Sequence, residues 1–316
     1  MINYLRLVRW SNLLFLAILI WVLEKWVCVQ LLNAAYLGEV LPWWLLILLI
    51  LAVVCTAAAG YVVNDYFDVK IDRINRPDQL IVTQTVSKDS AMLLYRILAV
   101  TGALFGLAVA WFTRSWPIAL IFLIVPGLLW FYSSSYKRQF LLGNLIIAFV
   151  SALPPILVGL TNAAWLECHY PQVMPYVTTA RDVILWTGGF ALFAFLMTWI
   201  REGIKDLQDQ NGDRELECHT MPIVLGETWT KAVLTILIAM TAGLMVYFWY
   251  ALLPMPHTWG SLTTRYLVFG LLIPLACEVV LLWAAKISSD YKHAQLLMKS
   301  IMFLGVLFSF VIERTL

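Results

Sequence analysis

Asn64-Asp65-Tyr66-Phe67-Asp68-Val69-Lys70-Ile71-Asp72-Arg73-Ile74-Asn75-Arg76-Pro77-Asp78 closes an apolar run that begins near residue 42. Asp65, Asp68 and Asp72 stand at i, i+3 and i+7, so on a helix they share one face. A second stretch closes another apolar run in the same way: Arg201-Glu202-Gly203-Ile204-Lys205-Asp206-Leu207-Gln208-Asp209-Gln210-Asn211-Gly212-Asp213-Arg214. Asp206, Asp209 and Asp213 repeat the spacing of the first trio. One such trio would read equally well as a solvated acidic loop. Two trios of identical spacing, each ending an apolar run, point to a shared chemical task.

The chain around these stretches is built for lipid. Of its 316 residues, 62% are hydrophobic and 13% are charged, against roughly 45–50% and 25% in an ordinary soluble domain. Nine apolar stretches occur, near 11–32, 42–64, 90–112, 116–134, 142–162, 183–200, 229–252, 262–285 and 296–312. Most reach the roughly 17–25 residues that a bilayer-spanning helix needs. The expected fold is therefore all-α, a polytopic membrane protein of about nine transmembrane helices, with residues 1–316 forming one membrane-embedded domain. Arg6 and Arg9 before the first run resemble the start of a signal peptide. Lys25 interrupts the run and no small-residue cleavage pattern follows, so it reads as a span. The net charge of +2 offers no reason to expect a nucleic-acid partner. The five scattered cysteines show neither a CxxC nor a metal spacing and read as small apolar residues.

Basic residues orient the spans. With the N-terminus inside, 16 of the 21 lysines and arginines fall on the cytoplasmic side. Both acidic trios then end their spans, the second and the sixth, on that side, so the mouth of the site is expected to face the cytoplasm. Clustered carboxylates need a compensating cation, and hard oxygen donors suit Mg²⁺. That ion is usually held by one or two carboxylates and completes its shell with phosphate oxygens and water. The expected ligands are Asp65, Asp68, Asp72, Asp209 and Asp213, with Asp206 as a further catalytic acid. A diphosphate held there would be bridged by metal. Lys70, Arg73, Arg76, Lys137, Arg138, Arg201 and Lys205 could take the remaining phosphate oxygens.

The first stretch resembles the NDxxDxxxD motif of the UbiA superfamily of intramembrane prenyltransferases, and the second resembles that superfamily's second aspartate motif. Arg9-Trp10-Ser11-Asn12 is similar to the family's start, and the hydropathy follows its nine-helix pattern. The resemblance implies a helical bundle around a central cavity, in a bacterial or archaeal cytoplasmic membrane. It implies Mg²⁺-dependent transfer of a prenyl group from a prenyl diphosphate to a lipophilic acceptor. Asn12, Asn64, Tyr136, Lys137 and Asn144 then join the basic residues as expected substrate contacts. Lys137 resembles a family diphosphate contact, and Asn12 and Asn144 are amides inside apolar spans that need partners. A leaving diphosphate is helped by neutralising cations, and the allylic cation survives where water is excluded. Aromatic faces (14% of residues) could stabilise that cation, although Trp and Tyr also form ordinary interfacial belts.

Asp72-Arg73-Ile74-Asn75-Arg76-Pro77-Asp78, with Lys205-Asp206, Asp209, Gly212-Asp213, Thr220-Met221-Pro222 and Gly226, resembles members that make digeranylgeranylglyceryl phosphate. That implies O-alkylation of geranylgeranylglyceryl phosphate. This chain departs from the pattern at Gln79-Leu80-Ile81-Val82-Thr83-Gln84, where an Arg-Pro-rich, glycine-containing turn is usual. It departs again at Glu217, where glycine is usual. Prenylation of an aromatic ring, as in quinone or haem side-chain synthesis, is the alternative reaction. A transporter is the alternative class, since intramembrane acids often mark ion paths. However, only Glu278 continues the acids into the bundle and Glu24 lies at a span's edge, so a relay is lacking.

The topology is directly testable. Cysteines introduced at Ser87 and Thr228 should be labelled by an impermeant maleimide from the same, cytoplasmic, side of sealed vesicles. Labelling from opposite faces would overturn the nine-span order.

Overall fold

The structure is a computed structural model and describes residues 2–75, 80–172, 179–252 and 261–313. Among the described residues, nine helices are long and apolar enough to cross a membrane. They are Trp10–Ala34, Trp43–Phe67, Lys88–Thr113, Trp116–Ser134, Leu142–His169, Thr179–Glu215, Glu227–Ala251, Leu262–Ala284 and Ser288–Val311, called here the first to ninth spans. The only extended pairing among these residues is an isolated bridge between Val82 and Val86, so the all-α expectation holds.

Hydropathy misplaces some ends. The sixth span runs to Glu215 and not to about 200. Residues 201–215 carry good helix formers, and Ile204 and Leu207 are buried at helical spacing. The helix therefore continues past the point where lipid-like composition stops. The ninth span likewise begins at Ser288, where the Asp290 carboxylate accepts hydrogen bonds from the Lys286 and Ile287 amides (2.9 and 3.2 Å).

The chain forms two compact units. One contains residues Met1–Lys137 and Leu153–Gly188; the other contains Arg138–Ala152 and Gly189–Leu316. The chain passes between them at Lys137–Arg138, ahead of the fifth span, at Ala152–Leu153 inside the fifth span, just before Pro154 and Pro155, and at Gly188–Gly189 inside the sixth.

In the first unit, small residues bring the second, third and fourth spans close together. A Cβ on Gly106 would lie 2.1 Å from the Phe122 ring, and one on Gly102 would lie 2.6 Å from the Thr56 hydroxyl. Such close approach is how helices gain packing contact where lipid supplies no hydrophobic drive. A second cluster gathers Leu7, Val62, Val69, Leu80, Val82, Val86 and Ala91. It explains the departure at 79–84. Where an Arg-Pro-rich turn is usual, this chain has Leu80, Val82 and Val86 buried in one cluster with Val62 of the second span. The segment is closed by Thr83 N–H to the Val86 carbonyl (2.8 Å) and Val86 N–H to the Ile81 carbonyl (3.1 Å). Glu24 begins a π-helical turn, Glu24–Cys28, and its buried carboxylate accepts a 2.6 Å hydrogen bond from the Asn162 amide.

In the second unit, Met197, Ile200, Ile204 and Leu207 of the sixth span lie in one apolar cluster. Leu234, Leu275, Leu282, Met298 and Ile301 belong to the same cluster. The sixth span ends in a Schellman turn. The Cys218 amide bonds the Asp213 carbonyl (2.8 Å), and the Glu217 amide bonds the Arg214 carbonyl (3.3 Å). Glu217 sits at the left-handed position of that turn, with φ 52. This is the second departure noted above. A glycine is usual there because a Cβ is disfavoured in the left-handed region.

Glu217→Gly should therefore stabilise the protein by about 1 kcal/mol, read as a small rise in Tm in detergent, roughly 2 °C. An unchanged or lower Tm would mean that the glutamate side chain makes a favourable contact worth at least the backbone strain.

Candidate active site

The first acidic stretch lies where the second span gives way to a short helix, Val69–Asn75. Asp65 is in the last turn of the span. Asp68 stands between the helices with φ −82 and ψ −3, and Asp72 lies in the short helix. The trio is therefore not carried on one uninterrupted helix, contrary to the simple spacing argument. The i−4 hydrogen bonds nevertheless persist across the joint, from Asp68 N–H to Asn64 (2.9 Å) and from Asp72 N–H to Asp68 (2.8 Å).

Each of the first two aspartates has its own cation. Arg9 Nη2 donates to Asp65 Oδ1 at 2.8 Å, and its guanidinium lies 4.9 Å from the centre of the Tyr61 ring. Arg9 holds the left-handed φ of 53 just before the first span, an uncommon conformation for an arginine. Asp68 is buried; Lys137 Nζ pairs with its Oδ1, and the Asn64 amide donates to its Oδ2 at 2.8 Å. The Lys137 and Asp68 side chains are only 15% and 7% exposed, so water does little to screen either charge. Lys70 and Arg73 are exposed beside this cluster, and Asp72 is half-buried.

The second acidic stretch behaves differently. Asp206, Asp209 and Asp213 lie on one continuous helix, the sixth span, as their spacing requires. The buried Asn144 amide donates to Asp206 Oδ2 at 2.8 Å. About two turns along both helices, the Ser151 hydroxyl donates to Thr198 Oγ1 at 2.8 Å. Asn144 and Ser151 on one helix thus face Asp206 and Thr198 on the other. Asp213 is buried, and its Oδ2 accepts a 3.0 Å hydrogen bond from the Thr220 hydroxyl. Arg201 and Lys205 both bond Glu202, at 2.7 and 3.4 Å, so a carboxylate already engages these two expected phosphate ligands.

Of the expected substrate contacts, Asn64 and Lys137 therefore join Asp65 and Asp68, and Asn144 joins Asp206. Tyr136 packs its ring against Phe131, with centres 6.2 Å apart. Asn12 lies in the first turn of the first span, its backbone N–H bonded to the Arg9 carbonyl at 2.8 Å. Arg76 lies outside the described residues. Three residues that bond the expected site were not themselves named as site residues. Arg9 was read as a charge before the first span and as part of the family's start, not as a partner of Asp65. Glu202 was readable from its places beside Arg201 and three before Lys205. Thr220 lies seven residues beyond Asp213, across a turn that no local pattern foretells.

The donor set suits a hard divalent cation: carboxylate oxygens, with no thiolate or imidazole among them. Among the described residues, no three His, Cys, Asp or Glu side chains come together as a closed metal site. Mg²⁺ ordinarily takes one or two carboxylates and completes its shell with water and phosphate oxygens. Asp65 and Asp68 offer carboxylate oxygens in the first unit, and Asp209 and Asp213 in the second.

The sequence model of the UbiA prenyltransferase family matches residues 26–307. A digeranylgeranylglyceryl phosphate synthase of Ignicoccus hospitalis is 35% identical over 170 residues, covering 54% of this chain and only half of that protein's length. One from Methanopyrus kandleri is 33% identical over 261 residues, covering 81% of this chain and 82% of that one. A solved structure of digeranylgeranylglyceryl phosphate synthase in membranes superposes with a TM-score of 0.66 at 20% identity, covering 99% and 98% of the two chains. A UbiA homologue from Archaeoglobus fulgidus, bound to DMAPP and Mg²⁺, superposes with a TM-score of 0.57 at 16% identity, covering 99% and 100%. At these identities the structural likenesses are likenesses of fold.

The Lys137–Asp68 pair makes a stability prediction. Lys137→Met leaves a buried carboxylate uncompensated and should cost roughly 3 kcal/mol. Adding Asp68→Asn should recover at least half of that loss, because the uncompensated charge goes with it. A double variant no more stable than Lys137→Met would mean that the pair is not the source of the effect. The readout is thermal unfolding in detergent.

Proposed function

Since this chain belongs to the UbiA prenyltransferase family, we propose that it transfers a prenyl group from a prenyl diphosphate to a lipophilic acceptor. Residues 1–316 would act as one membrane-embedded catalytic domain. The observation that carries the reading is the first aspartate cluster. Asp65 and Asp68 lie at the end of an apolar span, one bound to Arg9 and the other to Lys137 and Asn64. A carboxylate pair held beside two cations at the headgroup level is suited to receive a metal diphosphate.

Mg²⁺ bound to the aspartates would neutralise charge developing on the leaving diphosphate. The protein's own groups would do the rest. Asn64 and Lys137 orient Asp68, and Arg9 orients Asp65. Lys70 and Arg73, exposed nearby, could take phosphate oxygens. In the reaction, the bond between the prenyl C1 carbon and the diphosphate oxygen breaks. An acceptor oxygen bonds to that carbon, and the hydroxyl loses its proton. The long prenyl tail stays in the bilayer, since each buried CH₂ contributes about 0.8 kcal/mol.

The proposed acceptor is geranylgeranylglyceryl phosphate, alkylated on its free hydroxyl, in keeping with the relatives from I. hospitalis and M. kandleri. Its phosphate would need cations beyond those serving the leaving group. Arg201 and Lys205, which share Glu202, are suited to that role, since a guanidinium binds phosphate in a bidentate fashion. Aromatic prenylation would have less use for them. The transporter reading has little support. Glu24 is bonded to Asn162, and Glu278 has no bonded partner among the described residues, so neither extends a relay from the aspartates. The chain is an integral membrane protein. The proposed setting is a bacterial or archaeal cytoplasmic membrane with the site mouth on the cytoplasmic side, which the charge bias of the connections supports.

Mass spectrometry of products tests both levels of the reading. Purified protein is offered geranylgeranylglyceryl phosphate, a hydroxybenzoate and a naphthoate, with prenyl diphosphates and Mg²⁺. The expected product is the ether of the glyceryl phosphate. Asp209→Asn should cut its formation by at least about a hundredfold, in the range lost when charge stabilisation in the transition state is removed, while still inserting in the membrane. Ring prenylation alone would overturn the acceptor, and full activity of Asp209→Asn would overturn the metal assignment at that residue.

A further inference from the structure

Thr220 occupies the N-cap position of the short helix Met221–Leu225, with extended backbone angles (φ −72, ψ 164), yet its side chain makes no cap bond. A threonine at an N-cap ordinarily accepts a hydrogen bond from one of the first helical amides. Here the hydroxyl instead donates to Asp213 Oδ2 at 3.0 Å, with both residues only 5% exposed. The backbone carbonyl of Thr220 serves the helix start, accepting from the Ile223 and Val224 amides at 3.1 and 3.0 Å.

The loop leading to Thr220 is fixed on the same aspartate. The Cys218 amide bonds the Asp213 carbonyl at 2.8 Å, and Glu217 takes the left-handed conformation that lets the chain turn back. The His219 amide bonds the Arg138 carbonyl at 2.8 Å, which ties the loop to a further segment of its own unit. Asp213 is thus held at its backbone by Cys218 and at its side chain by Thr220. A threonine that leaves its helix uncapped to bond a buried carboxylate is placed to orient that carboxylate.

We propose that Thr220 is a positioning residue for Asp213, fixing by its Oγ–H···Oδ2 hydrogen bond the side-chain orientation in which Asp213 takes the divalent metal. The inference rests on the reading of Asp213 as a metal ligand. Groups that bond a metal ligand from behind commonly change metal affinity 10- to 100-fold when removed.

The test is metal binding itself, with Mn²⁺ as the probe. Full-length protein in detergent is titrated with Mn²⁺ in the presence of an unreactive prenyl thiolodiphosphate, and free Mn²⁺ is read by electron paramagnetic resonance. Thr220→Val keeps the β-branched shape and removes the hydroxyl; it should weaken Mn²⁺ binding by about tenfold. Thr220→Ser restores the hydroxyl and should bring affinity back to near that of the unaltered protein. In turnover assays Thr220→Val should raise the Mg²⁺ concentration for half-activity more than it lowers kcat at saturating Mg²⁺. A purely structural role of the hydrogen bond would instead lower Tm for Thr220→Val and leave the affinity of the folded fraction unchanged. Asp213→Asn, run in parallel, separates the two claims. If it weakens Mn²⁺ binding and Thr220→Val does not, the positioning role is overturned and the ligand reading stands. If neither weakens binding, Asp213 is not a ligand and both are overturned.

Discussion

A carboxylate buried at the end of a membrane helix is costly unless it is paired and hydrogen-bonded, and Asp68 places that demand on the first unit. Its two oxygens are bonded by Lys137 from the end of the fourth span and by Asn64 one turn back on the second. The chain must therefore bring the fourth span's end to the second span's end. Arg9 meets the same demand at Asp65, and does so from a left-handed backbone position. The apolar cluster of Leu7, Val62, Val69, Leu80, Val82 and Val86 surrounds the joint. Excluding water there strengthens the ion pair, and raises the penalty for losing either partner.

The second aspartate series has the same spacing and a different support. Asp206 is bonded by an amide and Asp213 by a hydroxyl, while the nearby cations Arg201 and Lys205 bond Glu202. Neutral donors orient a carboxylate without cancelling its charge. Asp65 and Asp68 are instead met by full positive charges. The first series is met by fixed cations, and the bonds to the second include an amide and a hydroxyl. The two motifs can thus be alike in sequence and distinct in what they contribute electrostatically.

The departures from the family pattern acquire physical reasons in the structure. Residues 80–82 are apolar, and Leu80 and Val82 are buried in one cluster with Val62 of the second span. Glu217 occupies the left-handed position of a Schellman turn, where glycine would be less strained. Neither reason was visible in the chain alone, since one depends on what lies beneath the loop and the other on the exact end of a helix. The same limit hid the partner of Thr220, which is set by the turn between it and Asp213.

The nine spans, the all-helical class and the two aspartate series were legible because each rests on short-range periodicity or composition: about twenty apolar residues to cross a bilayer, three and four residues to return to one helix face. Asn64, Asp65, Asp68, Lys137, Asn144 and Asp206 could be chosen from that pattern and from resemblance. Which of them touch was decided by the tertiary structure. It assigned Arg9 to Asp65, Lys137 to Asp68, Asn144 to Asp206 and Thr220 to Asp213, and it turned Arg201 and Lys205 toward Glu202. The physical reason is that a buried charge is satisfied by whichever donor the packing brings within about 3 Å. Packing depends on contacts such as that of Gly106 with Phe122, between residues of different spans. Helical periodicity reports which face a residue occupies, and carries no information about what lies across from it.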